Sequence, residues 1–281
     1  KTGTLTKNEM TVKEIYFDRY HGIIKGIGYK PKGMIEIQKT DQAPIGGNFI
    51  LLGESDENDM VSESGEETLP AKKADEILEI LESEHPKTYR PFELLMLVAS
   101  MCNNASIQEE NNIWKSIGDP TESALITMVK KSGFDIEVIK NRYEKIHEFS
   151  FDAVRKRMSS IVKDTQTGKI YVLSKGAPNS VSAISTHVIL NNNTMVIDRG
   201  TTADFVKKNE DMASKAMRCL AFAYKELSHY EGKKIVSEKE KVIKLKKEEI
   251  EKDLTFLGLI GMADPPRSDV KEAIELTRRA G

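Results

Sequence analysis

The sequence predicts an α+β fold in which helices pack on a largely antiparallel sheet, and three observations carry that expectation. Three segments with Ile, Val, Tyr and Phe at close spacing, 143–149, 158–162 and 169–173, follow one another, and the polar turn 163–168 joins the last two as a hairpin. A helix is signalled by Asp119 as N-cap, Pro120 at the first helical position and Glu122 in the first turn. It runs to about Lys131 and stops before Gly133. The longest apolar runs, 94–101 and 254–263, fall well short of the roughly 20 residues that cross a bilayer as a helix, so both read as core elements.

In chain order, 11–17 and 22–25 are expected as strands on their Ile, Val and Tyr content. Gly26, Gly28, Pro31 and Gly33 punctuate a loop, and with no helix behind it the Gly-x-Gly is not a dinucleotide site. Residues 53–73 are acidic and too poor in apolar side chains to offset their ordering entropy, which predicts a mobile loop. A helix is expected over 72–81. Pro91 opens a second, strongly apolar one over 92–102 that belongs in the core. Further on, a helix over 202–217 feeds a strand at 219–224. Residues 236–252 are almost all charge with a sparse stripe of Val242, Ile243, Leu245 and Ile250, the pattern of a solvated surface helix. A strand at 254–262, a Pro-Pro turn and a helix over 268–280 close the chain, and no repeat is present.

A chain of 281 residues with 39% hydrophobic and 31% charged content can bury a substantial core. Its formal net charge of −2 gives no electrostatic reason to expect nucleic acid or an anionic membrane as a partner. Cys102 and Cys219 both lie in apolar stretches and read as buried, inert thiols in a reducing compartment rather than a disulfide framework. No signal peptide opens the chain, no methionine starts it, and Gly281 follows directly on a helical pattern. The expectation is a soluble, excised piece of a larger protein.

The first six residues, Lys1-Thr2-Gly3-Thr4-Leu5-Thr6, resemble the tail of the phosphorylation signature of P-type ATPases, in which an aspartate stands immediately before this lysine. Five further elements are similar to that family's and follow its order. They are Gly118-Asp119-Pro120-Thr121-Glu122, then Phe151-Asp152 with Arg155-Lys156-Arg157-Met158-Ser159, then Lys175-Gly176-Ala177-Pro178, Arg218-Cys219-Leu220 and Asp264-Pro265-Pro266-Arg267. Gly28-Tyr29-x-Pro31-x-Gly33 and Cys102-Asn103-Asn104 resemble the calcium-pump-like branch of the type II pumps. Ser83-Glu84-His85-Pro86 imitates an element of heavy-metal pumps, but those lack the Lys-Gly-Ala-Pro loop, so His85 reads as an ordinary surface residue.

The resemblance implies a nucleotide-binding domain over 10–262. Residues 1–9 and 263–281 would be terminal fragments of an α/β phosphorylation domain, and Asp264, Pro265, Pro266 and Arg267 would form the hinge. Phe151 would stack on adenine, with Phe149 as the core alternative. Glu122 and Thr121, exposed at a helix start beside Asp119, would orient the adenine amine. Lys175 would line the adenine pocket, and Gly176 would let the ligand approach the backbone. Arg155 and Asp119 would also belong to the nucleotide-binding residues, with Lys156 reaching the ribose or α-phosphate and the fork of Arg218 the β-phosphate. Lys1 and Thr2 would stand near the γ-phosphate and Mg²⁺. Ala153 and Val154 occupy positions where the family often carries another polar or basic residue, which implies weaker binding than the fullest version of the site.

In the whole pump, as the resemblance implies, the missing aspartate attacks the γ-phosphate of ATP, with Mg²⁺ as cofactor, and the aspartyl phosphate drives cation transport. The partners implied are ATP and the phosphorylation domain, actuator domain and membrane helices of the same pump, making this a cytosolic domain of a membrane protein. With the acceptor placed before Lys1, these residues alone are expected to bind nucleotide without forming phosphoenzyme. A free-standing haloacid-dehalogenase-type phosphatase would need a second acid where Thr2 stands. A non-catalytic module using 236–252 would bind no ATP.

Overall fold

A computed structural model describes residues 4–26, 28–40, 50–52, 86–237, 247–267 and 269–280. Lys1, Thr2, the acidic stretch 53–73, the helix expected over 72–81, and His85 lie outside them.

One sheet organises the molecule. Its strands are β1 (Thr11–Phe17), β2 (Tyr20–Ile24), β3 (Ile35–Lys39), β4 (Ile50–Leu52), β7 (Tyr143–Asp152), β8 (Arg157–Asp164), β9 (Ile170–Gly176), β12 (Arg218–Glu226) and β13 (Leu254–Ala263). They lie in the order β4-β3-β2-β1-β13-β12-β9-β8-β7, each pair antiparallel. A hairpin of β10 (Ser185–Leu190) and β11 (Asn193–Val196) joins the same sheet, β10 running parallel to the first residues of β13. A separate hairpin pairs β5 (Ser106–Glu110) with β6 (Ile113–Ile117).

Burial on both faces of the sheet explains the near-continuous apolar run of β13. Against one face lie α1 (Pro86–Met101) and α2 (Pro120–Lys131), where Phe92, Met96, Leu125 and Met128 meet Met158, Leu173, Phe222 and Ile260. On the other face α4 (Pro178–Ser182) and α5 (Arg199–Ser214) bring Val181 and Met212 against Val188, Leu254 and Phe256. A smaller cluster holds Phe149, Ile161 and Val172 against Ile235 of α6 (His229–Ser237) and Ile250 of α7 (Lys247–Ile250). The expected fold class is the observed one. Among the described residues no helix is long and apolar enough to cross a membrane.

Several expectations need correction. α1 starts at Pro86, so Pro91 lies inside the helix. Proline there withholds one hydrogen bond, to the carbonyl four residues back, which belongs to the helix's first turn. The surface helix expected over 236–252 is instead the end of α6 and the short α7, with 238–246 outside the described residues. Ile250 and Glu251 at its end are buried. A run of charges conceals such a carboxylate, because pattern alone does not separate solvated charges from paired ones. Cys102 is buried as expected, but Cys219 is only partly so. Burial nevertheless pushes both thiols up, which keeps them unreactive.

The hairpins β5–β6 and β10–β11, together with α3 (Ile136–Arg142), escape the sequence pattern because few of their side chains are buried. A local signal was present all the same. Asn111-Asn112 and Asn191-Asn192 take φ of 53 and 61°, and of 52 and 58°, the left-handed pair of a tight hairpin turn that asparagine tolerates.

Candidate functional site

Antiparallel pairing brings the expected residues to one end of the sheet. β7 ends there, β8 begins, β9 ends and β12 begins. Arg157 of β8 stands opposite Gly176 of β9, and Ala221 of β12 opposite Gly176 on its other side. Phe151 and Lys156 flank the β7–β8 turn, Lys175 and Gly176 close β9, and Arg218 opens β12. Three inter-strand steps of about 4.8 Å put roughly 14 Å between the first and last of these strands. Arg218 in turn faces Met262 of β13, next to the chain's exit at Asp264.

A β-bulge sorts the two phenylalanines. Phe149 pairs with Ser159 and Asp152 with Arg157, so Ser150 and Phe151 together stand opposite Met158 alone. Met158 faces Lys175, and Lys175 faces Phe222. The extra residue thus moves Phe151 out of the row of Phe149 and into that of Lys175. Phe149 is 4% exposed and belongs to the core, whereas Phe151 is 61% exposed.

The β7–β8 turn is tightly specified. Asp152 Oδ1 accepts from the backbone N–H of Val154 at 2.7 Å and of Arg155 at 3.1 Å, and Lys156 N–H donates to the Asp152 carbonyl at 2.7 Å. The Arg155 N–H, then its guanidinium, then the Val154 N–H hold the Asp152 carboxyl down at about 2. Lys156 is exposed and sits at φ 51°, a left-handed conformation that a lysine keeps only where its surroundings enforce it.

The first turn of α2 covers the other end of the row. Asp119 caps it, accepting from Thr121 N–H at 2.8 Å and Glu122 N–H at 3.2 Å. Glu122 Oε1 takes the Lys175 ammonium at 2.7 Å, and Arg218 Nη1 reaches Thr121 Oγ1 at 3.4 Å. Thr121 is therefore buried rather than exposed, Glu122 is half-buried, and Lys175 is 6% exposed, because this turn packs over the ends of β9 and β12.

Residues not expected in the site position Glu122. The Asn104 N–H donates to Glu122 Oε2 at 2.9 Å, and Asn103 Nδ2 donates to the Glu122 carbonyl at 3.0 Å. Asn104 Nδ2 and Lys145 Nζ both donate to Glu148, at 2.8 and 2.9 Å. Burial pushes the Glu148 carboxyl up, but the bonds from Lys145 and Asn104 outweigh it and leave it below its ordinary value. The Asn103-Asn104 pair was read as a mark of subclass; its place beside Glu122 gives it a physical task.

Two residues have structural tasks as well. A Cβ on Gly176 would collide with the Lys156 carbonyl oxygen and lie 2.6 Å from Arg157 Cβ, so the neighbouring strand requires the glycine. Arg155 is turned inward: its guanidinium bonds Glu251 at 2.5 and 2.8 Å, Asp152 at 3.0 Å and the Ser150 carbonyl at 2.8 Å. That leaves it supporting the turn.

Around Asp264–Arg267, the segment expected as the hinge, residues 5–7 and 265–267 run side by side. Lys7 N–H donates to the Pro265 carbonyl and Arg267 N–H to the Leu5 carbonyl, both at 3.0 Å, while Thr6 bridges to Pro266. Asp264 accepts from Thr6 Oγ1 at 2.6 Å and Glu9 N–H at 3.2 Å. Among the described residues no group of three or more His, Cys, Asp or Glu side chains could hold a metal ion by itself.

The profile of the family described as "P-type ATPase, cytoplasmic domain N" matches residues 91–269. The chain is 30% identical over 281 residues to a calcium-transporting ATPase of Bacillus subtilis, covering 100% of this chain and 25% of that protein. It is also 30% identical over 283 residues to the cation-transporting ATPase pma1 of Synechocystis, with the same coverage. To the endoplasmic reticulum-type calcium-transporting ATPase 2 of Arabidopsis thaliana it is 33% identical over 214 residues, 66% of this chain and 20% of that protein. The chain thus spans about a quarter of the length of the two bacterial relatives.

Proposed function

This chain belongs to the P-type ATPases as their cytoplasmic domain N, calcium-pump-like in sequence, and from that premise we propose that it binds ATP across the ends of β7, β8, β9 and β12. Adenine stacks on Phe151, with Glu122 and Lys175 at its edge, set by Asp119, Thr121 and Asn104. Lys156 meets the ribose or α-phosphate, and Arg218 receives the β-phosphate. The triphosphate then points along the strand order toward the hinge of Asp264, Pro265, Pro266 and Arg267. Arg155 and Gly176 shape this site without touching the ligand.

The row of strand ends carries this reading. It gathers an exposed ring, three cations and the neighbouring Asp264–Arg267 segment at one end of the sheet, the groups a nucleotide needs to hand its terminal phosphate to a neighbouring domain. In the full pump that domain supplies the acceptor aspartate, which stands immediately before Lys1, with Lys1 and Thr2 near the γ-phosphate. Residues 10–262 are the nucleotide-binding domain, and 1–9 and 263–281 belong to the phosphorylation domain. The pump moves a cation across a membrane, and this domain works on its cytosolic side with the phosphorylation and actuator domains and the membrane helices as partners. The 281 residues alone bind ATP but take up no phosphate.

Calorimetric titration with ATP tests the proposal. Binding that falls in Phe151→Ala and in Lys175→Ala, with unfolding of the first variant unchanged, supports it. Normal binding by Phe151→Ala, or acid-stable γ-phosphate on this fragment, contradicts it.

A further inference from the structure

Glu251 stands between α7 and β13 with no exposed side-chain surface. Its carboxylate receives Arg155 Nη1 at 2.5 and 2.8 Å, Arg157 Nε at 3.2 Å and Ser159 Oγ at 2.7 Å. Those donors come from one short run on β8 and the turn before it, and the two arginines bracket Lys156.

Arg155 uses its remaining donors on Asp152 Oδ2 at 3.0 Å and the Ser150 carbonyl at 2.8 Å. Phe151 lies between those two residues. Arg157 Nη1 reaches Ser180 Oγ at 3.2 Å, and that hydroxyl donates in turn to the Arg155 carbonyl. The side-chain bonds of Arg155, Arg157 and Ser180 beneath the turn therefore lead back to Glu251 within two steps, while the Ala177 N–H holds the Lys156 carbonyl independently at 2.9 Å. A buried carboxylate facing two guanidiniums is costly to desolvate, so such a group is better explained by the geometry it imposes than by the stability it adds.

We propose that Glu251 is a positioning residue for nucleotide binding, which sets the placement of Phe151 and Lys156 through Arg155 and Arg157. This rests on the reading of the β7–β8 turn as part of the ATP site, and the test separates the two.

The test places a reporter at the turn with Phe151→Trp, after Trp114→Phe removes the chain's one tryptophan. Acrylamide quenching of that reporter and ATP affinity are then compared with and without Glu251→Gln, well below the melting temperature of both. The expected result is a changed quenching constant together with ATP binding about tenfold weaker, a modest version of what misplacement of a positioning group costs. Arg155→Gln should produce the same two changes, and the double variant no further loss; additive losses would make Arg155 a direct ligand and overturn the proposal. A folded Glu251→Gln protein with unaltered quenching and affinity also overturns it. Should Glu251→Gln fail to fold, Arg155→Gln alone decides: an unshifted reporter refutes the proposal and a shifted one supports it. If ATP binds to none of the proteins while Glu251→Gln still moves the reporter, the ATP site is wrong and the positioning role stands.

Discussion

At the β7–β8 turn the groups proposed to meet the nucleotide, Phe151 and Lys156, are exposed on a turn fixed from below by Glu251, Arg155 and Asp152. At the α2 end the cations are already engaged, Lys175 with Glu122 and Arg218 with Thr121. A ligand gains the full value of contacts at the first region, whereas at the second it exchanges existing contacts for new ones. Affinity should therefore come mainly from the turn, and orientation mainly from α2.

The largest expected effect breaks the support under the turn. Glu251→Ala leaves two guanidiniums without their buried partner and should cost about 3–5 kcal/mol of stability, read from urea unfolding. An unshifted midpoint would mean that the turn holds itself. Next in size, Phe151→Ala should weaken ATP binding by about 1–3 kcal/mol, the range for an aromatic stacked on a base. Because the ring is 61% exposed, the unfolding curve should not move.

On the α2 side, Asp119→Ala removes the cap that shapes the Thr121–Glu122 turn and should cost about 1 kcal/mol of stability, read from thermal unfolding. A loss of affinity larger than that from Phe151→Ala would reverse the ranking of the two regions. The smallest effect concerns pH. The Asp152 carboxyl titrates at about 2 in the folded protein, below its ordinary value. Its contribution to the turn is thus present above the unfolded value and lost only as pH falls through about 2. A carboxyl-carbon NMR titration of Asp152 with an ordinary midpoint would show that the turn is looser than described.

Much of this was legible in the chain itself. The strands of 143–176 and the capped helix at Asp119 follow from local chemistry. What stayed hidden depends on partners distant in sequence. Glu251 meets Ser159 and Arg155 across more than 90 residues, and nothing near it marks it as buried. The bulge at Phe151 was equally silent, since strict alternation puts residues 149 and 151 on one face. Gly176 was legible as a glycine that matters, but the neighbour requiring it is the adjacent strand. Hairpins closed by Asn111-Asn112 and Asn191-Asn192 could have been found from those pairs alone.

A crystal structure of this chain with a non-hydrolysable ATP analogue tests the central claim most directly. The adenine should lie on the Phe151 ring with Lys175 and Glu122 at its edge, and the phosphates should run past Lys156 and Arg218 toward Asp264. A nucleotide bound elsewhere, or one that leaves the Phe151 ring uncovered, would contradict it.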